Sequence, residues 1–175
     1  MTAWGETRLT NITLAADKTI HHPLDVIEQI VDNNDWVSDR RNDHEIAVQV
    51  PGTWCNYSMF FAWNDTADAV HFTCAFDMRV SNAGRDNVHE LLILINEELW
   101  LGHFGIWDEE GLPMYRHALP LRGTGGPSLG QMEDMVETAI SECERFYPAF
   151  QHTIWGGKSA TESIAAAMIN TIGEA

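Results

Sequence analysis

The sequence predicts an α+β fold, an antiparallel sheet with packed helices, and three observations carry that prediction. Apolar residues recur at helical spacing in some segments and at period two in others, and the two patterns alternate along one chain of 175 residues. Turn residues bound each segment, as in Asp39-Arg40-Arg41-Asn42-Asp43, Pro51-Gly52 and Asn64-Asp65-Thr66. Between Val88 and Gly123 the rhythm passes from helix to strand to strand, which puts a helix beside a hairpin. The expected order is α-β-β-β-β-α-β-β-α, followed by a C-terminal helical tail.

Each element has a local reason. Residues 1–22 are polar and lack a sustained period, so they read as a flexible lead with a short strand near Ile12 to Leu14. Pro23 suits the first position of a helix that turns Leu24, Ile27, Ile30 and Val31 inward and ends near Asn33-Asn34. Trp36 and Val37 begin a meander whose further strands are Glu45 to Pro51, Tyr57 to Asn64 and Ala69 to Val80. Val88, Leu91, Leu92, Ile95 and Leu99 then form an amphipathic helix, with Asp86 or Asn87 as cap and Glu90 in its first turn. From Leu101 the period becomes two, with Leu101, His103, Gly105 and Trp107 on one face and Gly102, Phe104 and Ile106 on the other. Asp108-Glu109-Glu110-Gly111 makes the turn into a strand from Met114 to Leu119, and Pro120, Gly123, Gly125, Gly126 and Pro127 end it. Ser128 with Gln131 forms a capping box for a long helix carrying Leu129, Met132, Met135, Val136, Ala139, Ile140, Cys143, Phe146 and Phe150 on one side. A second box, Ser159 with Glu162, opens an alanine-rich tail through Ile172 that docks on the domain or on a partner subunit. The organisation is thus a lead over 1–22, one domain over 23–155 and a tail over 156–175.

Several of these segments together resemble a known family. The run Leu91-Leu92-Ile93-Leu94-Ile95-Asn96, then Gly102-His103-Phe104, Asp108-Glu109-Glu110-Gly111 and Tyr115-Arg116-His117-Ala118-Leu119-Pro120-Leu121 is similar to the YbjN family of small bacterial proteins. The resemblance extends over roughly 24–155. It implies a fold like that of type III secretion chaperones, a regulator's label and a homodimer, and it supplies no catalytic residues.

Composition narrows the partners. With 26 acidic and 10 basic side chains the net charge is −16, and from Asp86 to Tyr115 the chain carries acid and no Lys or Arg. Such a field repels phosphate backbones, so neither nucleic acid nor an anionic membrane is an expected partner. No apolar run reaches the roughly 20 residues of a membrane span, and the start lacks a signal-peptide pattern, so the cytoplasm is expected. Cys55, Cys74 and Cys143 are odd in number and at no metal-like spacing, which suits reduced thiols.

Motifs that suggest chemistry have simpler explanations. Gly156-Gly157-Lys158-Ser159 ends like a P-loop, but the required earlier glycine is His152 and a helix precedes it, so a helix stop and cap are expected. Gly123 to Gly126 reads as a linker, since no lysine accompanies it. His71, His103 and His117 lie on three strands, yet no HExxH or CxxC spacing announces zinc. Cys55 and Cys74 sit in apolar or aromatic strand sequence, where inert thiols are expected, and Glu97-Glu98 and Asp108-Glu109-Glu110 read as solvated charge. No cofactor and no metal are expected.

The aromatic set is the feature that suggests function. Trp54, Tyr57, Phe60, Phe61, Trp63, Trp100, Phe104 and Trp107 are candidates for a partner-binding surface. Consecutive Phe60 and Phe61 face opposite ways on one strand, so one aromatic row is open unless helices cover both sheet faces. The leading expectation is a noncatalytic cytoplasmic protein that binds another protein or its own copy, chaperone-like or regulatory. The alternative is a small-ligand or metal-binding sensor or enzyme whose pocket residues are scattered in sequence.

Overall fold

The structure, a computed structural model, describes residues 22–172; apart from His22, the expected lead and its strand near Ile12 lie outside the described residues. Helix α1 (Pro23–Asn33) begins where Pro23 presets the backbone and a His22 ring nitrogen accepts from the Leu24 N–H at 3.3 Å. It stops at Asn34, whose side-chain amide donates to the Ile30 carbonyl at 2.8 Å. Strands β1 (Val37–Arg40), β2 (Glu45–Pro51), β3 (Asn56–Asn64) and β4 (Ala69–Ala75) follow as an antiparallel meander. After a single 3-10 turn at Asn82–Gly84 come α2 (Arg85–Glu97), β5 (His103–Trp107), β6 (Leu112–Pro120), α3 (Leu129–Ile154) and α4 (Ala160–Ile172). The six strands run β1-β2-β3-β4-β6-β5, so β6 pairs with β4 and β5 becomes an edge.

Several boundaries differ from the sequence expectation, and three of the differences have a clear physical reason. β4 stops at Ala75 rather than Val80: the Phe76 N–H still donates to the Pro113 carbonyl at 3.1 Å, but Pro113 has no N–H to return and the ladder ends. β5 starts at His103 rather than Leu101, because Gly102 takes a left-handed turn with φ +66°. A side chain there would collide with the Tyr115 hydroxyl, which donates to the Leu101 carbonyl at 2.8 Å. Neither Asp86 nor Asn87 caps α2; the 3-10 turn feeds it directly, Gly84 is the cap position and Asp86 sits in the first turn. The two capping boxes form as the sequence predicts: Ser128 and Gln131 bond reciprocally at α3, and at α4 the Glu162 N–H reaches Ser159 Oγ at 3.3 Å while Ser159 N–H reaches Glu162 Oε2 at 3.1 Å.

Among the described residues all four helices lie on one side of the sheet. Burial along β2 and β3 alternates residue by residue, and the inward set is Ile46, Val48, Val50, Tyr57, Met59 and Phe61. Val70, Phe72 and Cys74 of β4 and Tyr115 of β6 continue that layer against Met132, Val136, Ala139, Cys143, Phe146 and Phe150 of α3. Rings interlock there, with Phe104 edge-on to Phe146 at 5.8 Å and Phe76 edge-on to Phe150 at 5.1 Å. Each large side chain taken from water contributes about 1.5–3 kcal/mol, so this single layer holds the fold together. α4 packs on α3 and α2, joined by the buried Thr153 and Ser163 hydroxyls at 2.8 Å. Asn96 of α2 closes the β5 edge: its Nδ2 donates to the Phe104 carbonyl at 3.0 Å and its Oδ1 accepts the Phe104 N–H at 2.7 Å.

Candidate functional site: the uncovered sheet face

Strand alternation and register place a second row of residues on the side away from the helices. Ala47, Phe60, Thr73, Arg116 and His103 lie side by side across β2, β3, β4, β6 and β5. Beside them run Gln49, Ser58, Ala75, Met114 and Gly105, and then Leu112 opposite Trp107. The small side chains let the large ones lean together. Met114 is only 3% exposed and Thr73 9%, although no helix among the described residues covers them, whereas Phe60 and Trp107 remain 39% and 44% exposed. Between Phe60 and Trp107 lies a hollow of about 520 Å³, floored by Thr73, Ala75 and Met114, with Arg41 and Arg116 at its rim.

The expected aromatic surface divides into three groups. Tyr57, Phe61 and Phe104 are core residues: Phe61 stacks on Phe72 at 4.6 Å, and Phe104 sits among Tyr115, Phe146 and Phe150. They face the helices and present no outer surface, because inward alternation puts them there. Trp54, Trp63 and Trp100 lie away from the uncovered face. Trp54 stacks on Tyr147 at 5.9 Å and donates to the Glu144 carbonyl at 3.2 Å, Trp63 donates to Asp65 and meets His22 edge-on at 6.2 Å, and Trp100, 98% exposed, occupies the bend before β5. Phe60 and Trp107 alone of the eight share the outer face. Sequence reasoning missed Arg41 and Arg116, which belong to a hairpin and a strand far apart in the chain; the period-two pattern of β6 could have put Arg116 on the face of His103.

The three strand histidines do not converge. His71 and His103 lie on the outer face, while His117 pairs with Phe72 on the inner one. Burial pushes His71 and His117 below the ordinary imidazole range, with Arg116 and His103 adding to the effect at His71 and His103 at His117. Among the described residues no group of three or more His, Cys, Asp or Glu could hold a metal ion. Cys55 and Cys143 are poor nucleophiles: burial pushes Cys55 up to about 12 and raises Cys143 well above a free thiol. Cys143 Sγ lies 3.7 Å from Cys74 Sγ inside the core. Of the five carboxylates offered by the sequence, three are taken up in ion pairs, Asp108 with Arg85 at 2.9 Å, Glu110 with Arg79 at 3.3 Å and Glu98 with Arg145, while Glu97 and Glu109 are exposed and make no ion pair among the described residues. At Gly156-Gly157-Lys158-Ser159 the Lys158 N–H closes back on the His152 carbonyl at 3.2 Å, the geometry of a helix stop.

No helix among the described residues is long and apolar enough to cross a membrane. No curated protein matches the chain. Among solved structures it is similar to the crystal structure of YbjN, a putative transcription regulator from E. coli, at 14% identity and a TM-score of 0.48, covering 68% of this chain and 84% of that one. The sequence model of the YbjN family, described as "Putative bacterial sensory transduction regulator", matches residues 23–152. The chain therefore belongs to the YbjN family.

Proposed function

We propose that this YbjN-family protein is a noncatalytic regulator of the bacterial cytoplasm that acts by binding another protein on its uncovered sheet face. One observation carries the reading: among the described residues a six-stranded sheet has its helices on one side only, and the other side presents Phe60 and Trp107 around a hollow floored by buried Met114. Aromatic side chains half-exposed over a close-packed floor are what interface anchors look like before a partner arrives. The family's description as a regulator points the same way.

A photocrosslinking residue tests it. In cells of the source bacterium, benzoylphenylalanine replacing Phe60 or Trp107 is expected to capture the same partner. The same probe replacing Ile93, an exposed residue of α2 on the helical side, is expected to capture none of it. Equal capture from all three positions, or none from Phe60 and Trp107, would remove the reading. Native mass spectrometry of the purified chain addresses the rival, since a stoichiometric small molecule released by Phe60→Asp would make the hollow a ligand pocket.

A further inference from the structure

The uncovered face is not only apolar; it holds two cations that make no ion pair among the described residues. Arg40 is held by Asp25 at 2.7 Å and Glu28 at 2.6 Å, Arg79 by Glu110, Arg85 by Asp108 and Arg145 by Glu98. Arg41 and Arg116, both at the rim of the hollow, make no ion pair or side-chain hydrogen bond among the described residues. Of the seven arginines among the described residues, four hold carboxylates and three, Arg41, Arg116 and Arg122, hold none, and two of those three line this one hollow. Glu110, on the same rim, is engaged by Arg79, while Asp39 and Glu45, toward the β1–β2 margin, hold neither of the two arginines.

From this juxtaposition of two unpaired guanidinium groups with Phe60, Trp107 and a buried apolar floor, we infer that the occupant of the face is a protein segment in which carboxylate side chains flank an apolar one. The inference rests on the open-face reading of the preceding subsection. Guanidinium groups bind carboxylates through charge-assisted, often bidentate hydrogen bonds, and they do so best beside apolar surface that excludes water. The strand bearing Arg116 stands three strand spacings from β2, which Arg41 precedes, or roughly 14 Å. An extended segment crosses that span in about four residues, so an acidic residue at each end with an apolar residue between them for the hollow matches the layout. The net charge of −16 repels such a segment at a distance, but this field is screened beyond about 8 Å at physiological salt, and inside that range the two arginines decide.

Three labelled synthetic peptides of one apolar sequence test this, flanked by Glu, Gln or Lys at the two positions and titrated with the full chain by fluorescence anisotropy at physiological salt. The Glu peptide is expected to bind about tenfold more tightly than the Gln peptide, and the Lys peptide more weakly still. Arg41→Gln with Arg116→Gln is expected to remove the difference between the Glu and Gln peptides; both side chains are exposed and unpaired, so the fold does not depend on them. Phe60→Asp, or Trp107→Ser where that variant folds better, is expected to weaken all three. If the Lys peptide binds as well as the Glu peptide and Phe60→Asp abolishes both, the acidic assignment is overturned while the open-face reading stands. Binding of the Glu peptide that survives both the arginine and the aromatic variants overturns both. No binding by any peptide overturns the acidic assignment, leaving the crosslinks from Phe60 to judge the reading separately. A dimer in light scattering that Phe60→Asp dissolves gives the face to a second copy and likewise overturns the inference.

Discussion

Pro148 lies inside α3, where its ring nitrogen cannot donate to the carbonyl of Glu144 one turn earlier. The freed carbonyl accepts the Trp54 indole N–H at 3.2 Å, the Glu144 carboxylate accepts the Thr53 N–H at 2.7 Å, and the Trp54 ring lies flat on Tyr147. A loop between β2 and β3 thus repairs a defect in a helix 90 residues away. Trp54→Phe keeps the stacking and removes the donor, so it is expected to cost about 1 kcal/mol. In a Pro148→Ala background the helix supplies its own N–H to Glu144, and the same change is expected to cost only a few tenths of that. A double-mutant cycle on urea midpoints measures the coupling, and equal losses in both backgrounds would refute the repair. Gly102 is the other residue with a single structural reason. Its left-handed φ and the Tyr115 hydroxyl facing it leave no room for a methyl group, so Gly102→Ala is expected to lower stability by at least about 2 kcal/mol in the same assay.

At the scale of elements, the sheet has two edges, and β5 is defended by the side-chain amide of Asn96, which satisfies both backbone groups of Phe104 as a neighbouring strand would. Asn96→Ala leaves that N–H and carbonyl open on a strand whose other face is core. It is expected to lose about 1–2 kcal/mol and to associate at concentrations where the wild type does not, read by urea unfolding and light scattering. The element order was legible because periodicity is local: helical spacing marked α1, α2 and α3, and alternation set Phe60 apart from Phe61. Local pattern says that two residues face opposite ways and not which way the helices lie, so Tyr57, Phe61 and Phe104 could not be told from Phe60 and Trp107 in advance. The ends of β4 and β5 were misjudged for a related reason. Pro113 and Tyr115, which stop or bend those strands, come from β6, and only strand pairing brings them there. Arg41 and Arg116 were invisible as a pair because the sheet order joins what the chain separates.

Across the whole molecule, burial of titratable groups sets a pH window for stability from both ends. On the acid side, the folded state holds His71 and His117 below the ordinary histidine range, chiefly through burial. The unfolded chain therefore takes up protons first as pH falls through about 6.5; the stabilisation is complete above that point and is lost as pH drops through the lowered folded values. On the alkaline side, burial raises Tyr57 and Tyr147 above free phenol, helped at Tyr147 by its hydrogen bond to Asp77 at 2.9 Å, and lifts Tyr115 and Cys55 to about 12. Those groups favour folding while protonated, so their contribution is whole below the unfolded values of about 8.5 for Cys and 10 for Tyr and falls as pH rises beyond them. Melting temperature is therefore expected to plateau between roughly pH 7 and 8.5 and to decline on both sides. His71→Gln with His117→Gln is expected to flatten the decline between pH 7 and 5 and leave the alkaline limb unchanged. Tyr147→Phe is expected to shallow the alkaline limb alone, since it deletes one of the groups that must ionise. An acid limb of undiminished slope in the double histidine variant would show that carboxylates, and not these two imidazoles, govern it.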